Sequence, residues 1–320
     1  MTDVMIEAQG LGKRYGDFTA LEGATFQVRR GEVLGFLGPN GAGKTTTMKI
    51  LTCFIAPTEG TARVGGSDIF EDPMGVRRSI GYLPESTPLY TEMLVLEYLE
   101  WSARMRGLDG EAARKRIKKV VEETTLGEVI GKEIRTLSKG FRQRVGLAQA
   151  LIHEPPILIL DEPMSGLDPN QASEIRDLIR AIGKERTVIL STHNLAEVEV
   201  ACNRVLIVAR GKIVANDTPE HLRETAGKAR YIVSVLLAGT SEAKAREAFA
   251  KLEGIERVSA RESVNGELKL ELLPASASDM RASVWKCAVE NQLTLVELRK
   301  EDQNLEGVFR ELTLGGNAHA

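Results

Sequence analysis

The 320-residue sequence has little of what staples, anchors or strongly charges a chain. Its three cysteines, Cys53, Cys202 and Cys287, lie far apart and suggest neither a disulfide framework nor a metal cluster, which fits a reducing cytosol. No apolar run approaches the ~18 residues needed to span a bilayer. The opening MTDVMIEAQG lacks the basic and then apolar layout of a secretory leader. A net charge of -3 gives no overall pull toward nucleic acid or an anionic membrane. The most basic run, RKRIKK (Arg114 to Lys119), is followed by Glu122 and Glu123 in a helical pattern, so a solvated helix face is expected there. Any work at a membrane must then pass through a partner.

What is present is the balance of a folded chain, 42% hydrophobic and 27% charged, long enough for two domains. Val33 to Gly38, Ile157 to Leu160 and Thr187 to Thr192 are short apolar runs among helical segments, the pattern of a parallel sheet covered on both faces. Residues 86–153 turn mostly helical, which predicts a helical subdomain within a first domain of residues 1–226. A second unit, 228–313, reads as βαββαβ. Tyr231 to Leu237 and Ile255 to Val264 are strands, and Asn265-Gly266 is a hairpin turn. Leu268, Leu270 and Leu272 alternate with Lys269 and Glu271, and a last strand runs from Leu293 to Leu298. Ala245, Ala248, Phe249 and Leu252 form one helical face, and Met280, Val284 and Ala288 another. The order is that of a ferredoxin-like unit. Residues 314–320 read as a flexible tail.

The most specific stretch is GPNGAGKT: Gly38, Pro39, Asn40, Gly41, Ala42, Gly43, Lys44 and Thr45, with Thr46 following. It fits G-x-x-x-x-G-K-[ST] at every fixed position, after a strand and before a helix. Glycines let backbone N–H groups wrap phosphate oxygens, and the helix start adds its partial positive charge. Lys44 is expected on the β- and γ-phosphates and the Thr45 hydroxyl on Mg²⁺. ILILDEP then ends a buried strand in Asp161, a second Mg²⁺ ligand, and Glu162, placed to deprotonate an attacking water. A second helix start, LSKGFRQR, is also suited to an anion, and Leu137, Phe141, Val145, Ala148 and Ile152 bury one stripe of it.

LSKGFRQR resembles the signature sequence of ABC-type ATPases, which usually begins Leu-Ser-Gly-Gly. Lys139 replaces the first of those glycines and Phe141 the usual Gln. ILILDEP, SGLD (Ser165 to Asp168) and His193 after TVILST match the family's other motifs in order, so the resemblance covers residues 4 to about 220. It implies an α/β P-loop NTPase domain whose two copies sandwich two ATP molecules head to tail. Ser138, Lys139, Gly140 and Asp168 would meet the ATP held by the partner chain. Tyr15 would stack on adenine, and His193 would contact the γ-phosphate as a switch. Glu85 stands where the family usually has Gln. It is expected to act as a catalytic-site and Mg²⁺ ligand, with attraction to the metal and repulsion from phosphate comparable at about 4 kcal/mol per contact.

After Glu85, Leu96, Leu99 and Ala103 share one helical face, and Tyr98, Trp101 and Met105 another. In ABC exporters this region receives a helix of the membrane subunit. The small C-terminal unit resembles that of ABC-2 exporter ATPases, of the drug-resistance and gliding-motility-like kind. The resemblance implies a cytoplasmic ATPase, a homodimer or pseudo-symmetric dimer. It would sit peripherally on the inner membrane face through a separate permease of about six spans, with no nucleic acid as partner. The alternative is a soluble ABC ATPase acting on ribosomes or DNA. It is disfavoured because neither a second ATPase domain nor a coiled-coil insertion is present.

Overall fold

The computed structural model describes residues 3–225, 230–237, 239–264, 266–276, 279–301, 307, 309 and 313. Asn265, the 314–320 tail and most of NLEGVFRELT lie outside them. The chain falls into two compact units, Met1–Pro219 and Glu220–Glu311.

In the first unit, β1 (Val4–Tyr15) and β2 (Phe18–Arg29) form a long hairpin whose register shifts repeatedly. β3 (Val33–Leu37) enters the core and hands the chain to α1 (Lys44–Leu51). β4 (Glu59–Val64) and β5 (Ser67–Asp68) return to the hairpin, completing a separate antiparallel sheet of order β2-β1-β4-β5. Its apolar face packs on the main sheet: Ile6, Leu21 and Phe26 meet Leu34, Phe36 and Ile159, and the Phe26 and Phe36 rings meet edge to face at 5.2 Å.

The main sheet continues through α2 (Pro73–Ser79) and β6 (Ile80–Leu83). Then come α3 (Val95–Met105), α4 (Gly110–Glu123) and α5 (Lys139–Leu151), the helical stretch expected between 86 and 153. The chain returns by β7 (Ile157–Asp161), α6 (Pro169–Gly183), β8 (Thr187–Thr192), α7 (Leu195–Ala201), β9 (Arg204–Ala209) and β10 (Lys212–Asp217). The order is β10-β9-β3-β8-β7-β6, parallel except for β10. Successive strand residues face opposite layers, so Ile157 and Ile159 join the core under the antiparallel sheet while Leu158 and Leu160 join the helical side. Because β3, β7 and β8 are parallel neighbours, Gly38, Glu162 and His193 leave the sheet at one edge, where open α/β sheets bind ligands.

Two expectations about the helices are corrected. Leu99 and Ala103 are buried, but Leu96 is exposed and Tyr98 turns inward at 4% exposure, stacked on Trp101. Arg116, within the basic run, is only 6% exposed. It donates to the carbonyls of Leu151 (2.6 Å) and Ile152 (3.1 Å) and pairs with Glu154 at 3.2 Å. A cation there closes the carbonyl end of α5, the negative end of its dipole. The other cations of the run, such as Arg114 and Lys118, are exposed.

Just past α5, His153 is held by the Ile80 carbonyl at 2.9 Å, with its other ring nitrogen buried and unpaired. Burial first, and then the Arg106 and Arg116 charges, push its pKa down to about 4. The unfolded chain takes up a proton near pH 6.5 that the folded chain refuses until about 4, so stability present above pH 6.5 is lost as the pH falls toward 4. Discounted for partial exposure, the loss is about 1–2 kcal/mol. Denaturant unfolding of His153→Gln and the parent between pH 7.5 and 4.5 should show the difference closing by that amount; parallel curves would refute it.

The second unit opens with α8 (Pro219–Thr225), followed by β11 (Arg230–Leu236), α9 (Glu242–Ala250), β12 (Ile255–Val264), β13 (Glu267–Pro274), α10 (Arg281–Glu290) and β14 (Thr294–Glu301). The βαββαβ chain folds into an antiparallel sheet of order β12-β13-β11-β14. Leu268, Leu270 and Leu272 are fully buried against Tyr231, Val233, Phe249, Val284 and Ala288, as their alternation requires.

Candidate functional site

The turn between β3 and α1 is shaped by glycine. Gly43 has φ 107, and a Cβ on it would lie 2.5 Å from the Ala20 carbonyl. A side chain at Gly38 would collide with the Val208 carbonyl. The chain can therefore approach β2 and β9 and leave its amides lining a cleft of about 280 Å³. No side chain caps α1, so its first N–H groups face that cleft. Asn40, Gly41, Ala42, Gly43, Lys44, Thr45, Thr46, Tyr15, Glu85 and Glu162 all line it.

Lys44 is 5% exposed and donates to the carbonyls of Gly38 (2.7 Å) and Pro39 (3.3 Å). Its ammonium lies 3.2 Å from Glu162 Oε1, while the other carboxylate oxygen of Glu162 meets His193 Nδ1 at 2.9 Å. Glu162 also carries φ 50, a left-handed backbone that costs a non-glycine residue about 1–3 kcal/mol. Its amide is tied to the Ser191 carbonyl at 3.0 Å, and the strain turns its carboxylate from the end of β7 toward Lys44.

Asp161, beneath it, is 1% exposed, and neither carboxylate oxygen has a hydrogen-bond partner. Burial is the main cause raising its pKa. The Ser191 and Thr45 hydroxyls pull the other way without completing hydrogen bonds, and Glu162 and Glu85 add repulsion. An orphaned buried carboxylate beside a threonine hydroxyl fits a hard divalent cation. Among the described residues no cluster of three or more His, Cys, Asp or Glu could hold a metal alone. The fitting ion is one that brings phosphate and water ligands, as Mg²⁺ does.

The sequence reading missed two residues. Phe18 lines the cleft beside Tyr15; both are exposed, and Lys13 sits 5.3 Å from the Tyr15 ring centre. Its signal was its position across the Gly16-Asp17 turn. Glu197 accepts from the Thr192 hydroxyl at 2.6 Å and from the Asn194 amide at 3.2 Å, gripping both neighbours of His193. Burial raises its pKa. Its signal was its place three residues after Asn194, which caps α7.

Ser138, Lys139, Gly140 and Asp168 do not line this cleft. Ser138 caps α5, accepting from the Phe141 amide at 3.3 Å, and with Gly140, Phe141, Arg144 and Gln171 it lines another cleft of about 640 Å³. Asp168 caps α6, accepting from the amides of Asn170 and Gln171 at 3.0 Å. A wider cleft of about 790 Å³ around Arg204 and Asn216 pairs its charges internally, Arg204 with Glu32 at 2.6 Å, and presents no comparable turn.

The ABC transporter family pattern matches residues 21–165. The linearmycin resistance ATP-binding protein LnrL of Bacillus subtilis strain 168 is 32% identical over 310 residues, 97% of this chain and 98% of that protein. The daunorubicin resistance ATP-binding protein DrrA3 of Streptomyces coeruleorubidus is 37% identical over 256 residues, 80% of each. Among solved structures, the dimeric post-hydrolysis state of the ATP-binding cassette MJ0796 bound to ADP and Pi matches with a TM-score of 0.61 at 25% identity, covering 67% of this chain and 98% of that one.

Proposed function

The chain belongs to the ABC transporter ATP-binding proteins and is an ATPase of that family, and from that premise we propose that it drives an ABC-2-type export system by dimerising around two ATP molecules. One observation carries the dimer: a single unit has two helix starts suited to phosphate, and they line different clefts. A nucleotide in one copy's cleft is enclosed when the Ser138 to Gly140 start of α5 and Asp168 arrive from a second copy.

In this reading Lys44 leaves Glu162 for the β- and γ-phosphates, and the α1 amides hold the remaining oxygens. Glu162, freed of its ammonium, accepts the proton of a water that attacks the γ-phosphorus in line, while the bond from that phosphorus to the β–γ bridging oxygen breaks and ADP leaves. His193, steadied by Glu197 through Thr192 and Asn194, aims the Glu162 carboxylate. Thr45, Asp161 and Glu85 would hold Mg²⁺, which when bound neutralises charge developing on the phosphate oxygens. Tyr15 and Phe18 offer the aromatic surface for the base.

The membrane partner is supported by exposed apolar side chains gathered around Arg77. Its guanidinium reaches the Cys53 carbonyl at 2.9 Å and the Met74 sulfur at 3.8 Å, and its carbonyl accepts from Arg106 at 2.8 Å. Met74 itself, and Phe54 and Met105 as the chain neighbours of Cys53 and Arg106, are all more than half exposed. Among the described residues no helix is long and apolar enough to cross a bilayer. The placement proposed is therefore peripheral, on the cytoplasmic face, through a separate permease. Affinity purification from detergent-solubilised membranes should recover an integral membrane protein with this chain. Phe54→Asp with Met105→Asp should lose it while ATP binding persists. Equal recovery by parent and variant would reject this docking face.

A further inference from the structure

Two unmatched charges of opposite sign stand on the two faces that the dimer brings together. Glu85 lines the phosphate cleft and is exposed, and among the described residues it has no cation partner. Glu162 and Glu85 line the cleft against Lys44, with Asp161 buried beneath it, and Lys44 is already engaged by Glu162. Glu85 adds to the repulsion felt by buried Asp161 and, after burial and Asp161, to what keeps the Tyr82 hydroxyl from ionising. An unbalanced carboxylate facing a polyphosphate opposes nucleotide closure unless a cation answers it.

Lys139 is the reverse case. It is the first residue of α5, where a cation meets the positive end of the helix dipole. It is exposed, and among the described residues it has no carboxylate partner. Its side chain lies across the turn that precedes α6, so close that a Cβ on Gly166 would collide with the ammonium. That places the charge between two helix starts, α5 and α6, with no anion among the described residues within ion-pair reach.

We propose that Lys139 of a second copy answers Glu85 across the bound nucleotide, so that each closed site contains one such pair. The inference rests on the head-to-tail dimer proposed above. It assigns Lys139 a charge contribution in place of the amide-only grip of a glycine. It also gives the Glu85 carboxylate a cation of its own. Closure then joins complementary charges, which speeds encounter and makes dimerisation weaken with salt.

The test is a double-mutant cycle on ATP-driven dimerisation, read by sedimentation velocity with Mg-ATP in a Glu162→Gln background that holds the nucleotide. Glu85→Gln and Lys139→Met should each weaken dimerisation about tenfold, and the double variant should be about tenfold tighter than the product of the two effects. Both side chains are exposed, so neither change touches the core. The charge-swapped pair, Glu85→Lys with Lys139→Glu, should recover at least part of what each swap loses alone. Effects that multiply independently, in a protein that still dimerises, overturn the pair and leave the dimer standing. If the background protein binds ATP and never dimerises, the dimer reading fails and the pair falls with it.

Discussion

Glu162→Gln is expected to lower ATP turnover by about 10²–10⁴-fold while nucleotide binding persists. The amide keeps the size of the side chain and can still meet His193, but it cannot accept a proton from water. Substitution also removes the buried ion pair at 3.2 Å, so Lys44 reaches phosphate without first breaking it. ATP affinity should therefore hold or rise, which separates loss of the base from loss of the fold. Single-turnover hydrolysis and binding of a fluorescent ATP analogue check the two halves. Near-normal turnover would remove Glu162 from the role of base.

Lys44→Ala should fail in the opposite way. A charge-assisted hydrogen bond to phosphate is worth about 1.5–3 kcal/mol, so nucleotide affinity should fall about ten- to hundredfold. The nucleotide-free protein should also lose about 2–4 kcal/mol of stability, because Glu162 remains buried without its cation. In the Glu162→Gln background the same substitution should cost less stability, since the pair is already broken. Urea unfolding of the single and double variants measures this coupling. Equal costs in both backgrounds would show that Lys44 does not stabilise the empty site through Glu162.

These effects trace to residues that were readable before any fold was drawn. The grip at Gly38 to Thr45 is local: a strand, a turn that only glycine permits, and a helix start. Asp161 and Glu162 announced themselves as charges ending an apolar run. The antiparallel sheet of β1, β2, β4 and β5 was not read. Its β1–β4 pairing joins distant segments, and its register shifts break the two-residue alternation that marks a half-buried strand. On α3, two apolar stripes competed for the core, and periodicity alone could not say that Tyr98 turns in and Leu96 out. Arg116 looked like one cation of a solvated run, because the carbonyls it closes belong to a helix end about 35 residues later in the chain. Glu197 was not singled out, and only the path of β8 into α7 shows it gripping the residues on either side of His193.

Light scattering on the Glu162→Gln protein reaches the core of the proposed mechanism in one measurement, which compares Mg-ATP, Mg-ADP and no nucleotide. Twice the monomer mass with Mg-ATP, and the monomer mass in the other two, is the expected result. A monomer mass at saturating Mg-ATP, with the nucleotide demonstrably bound, would contradict a site that is finished only by a second copy.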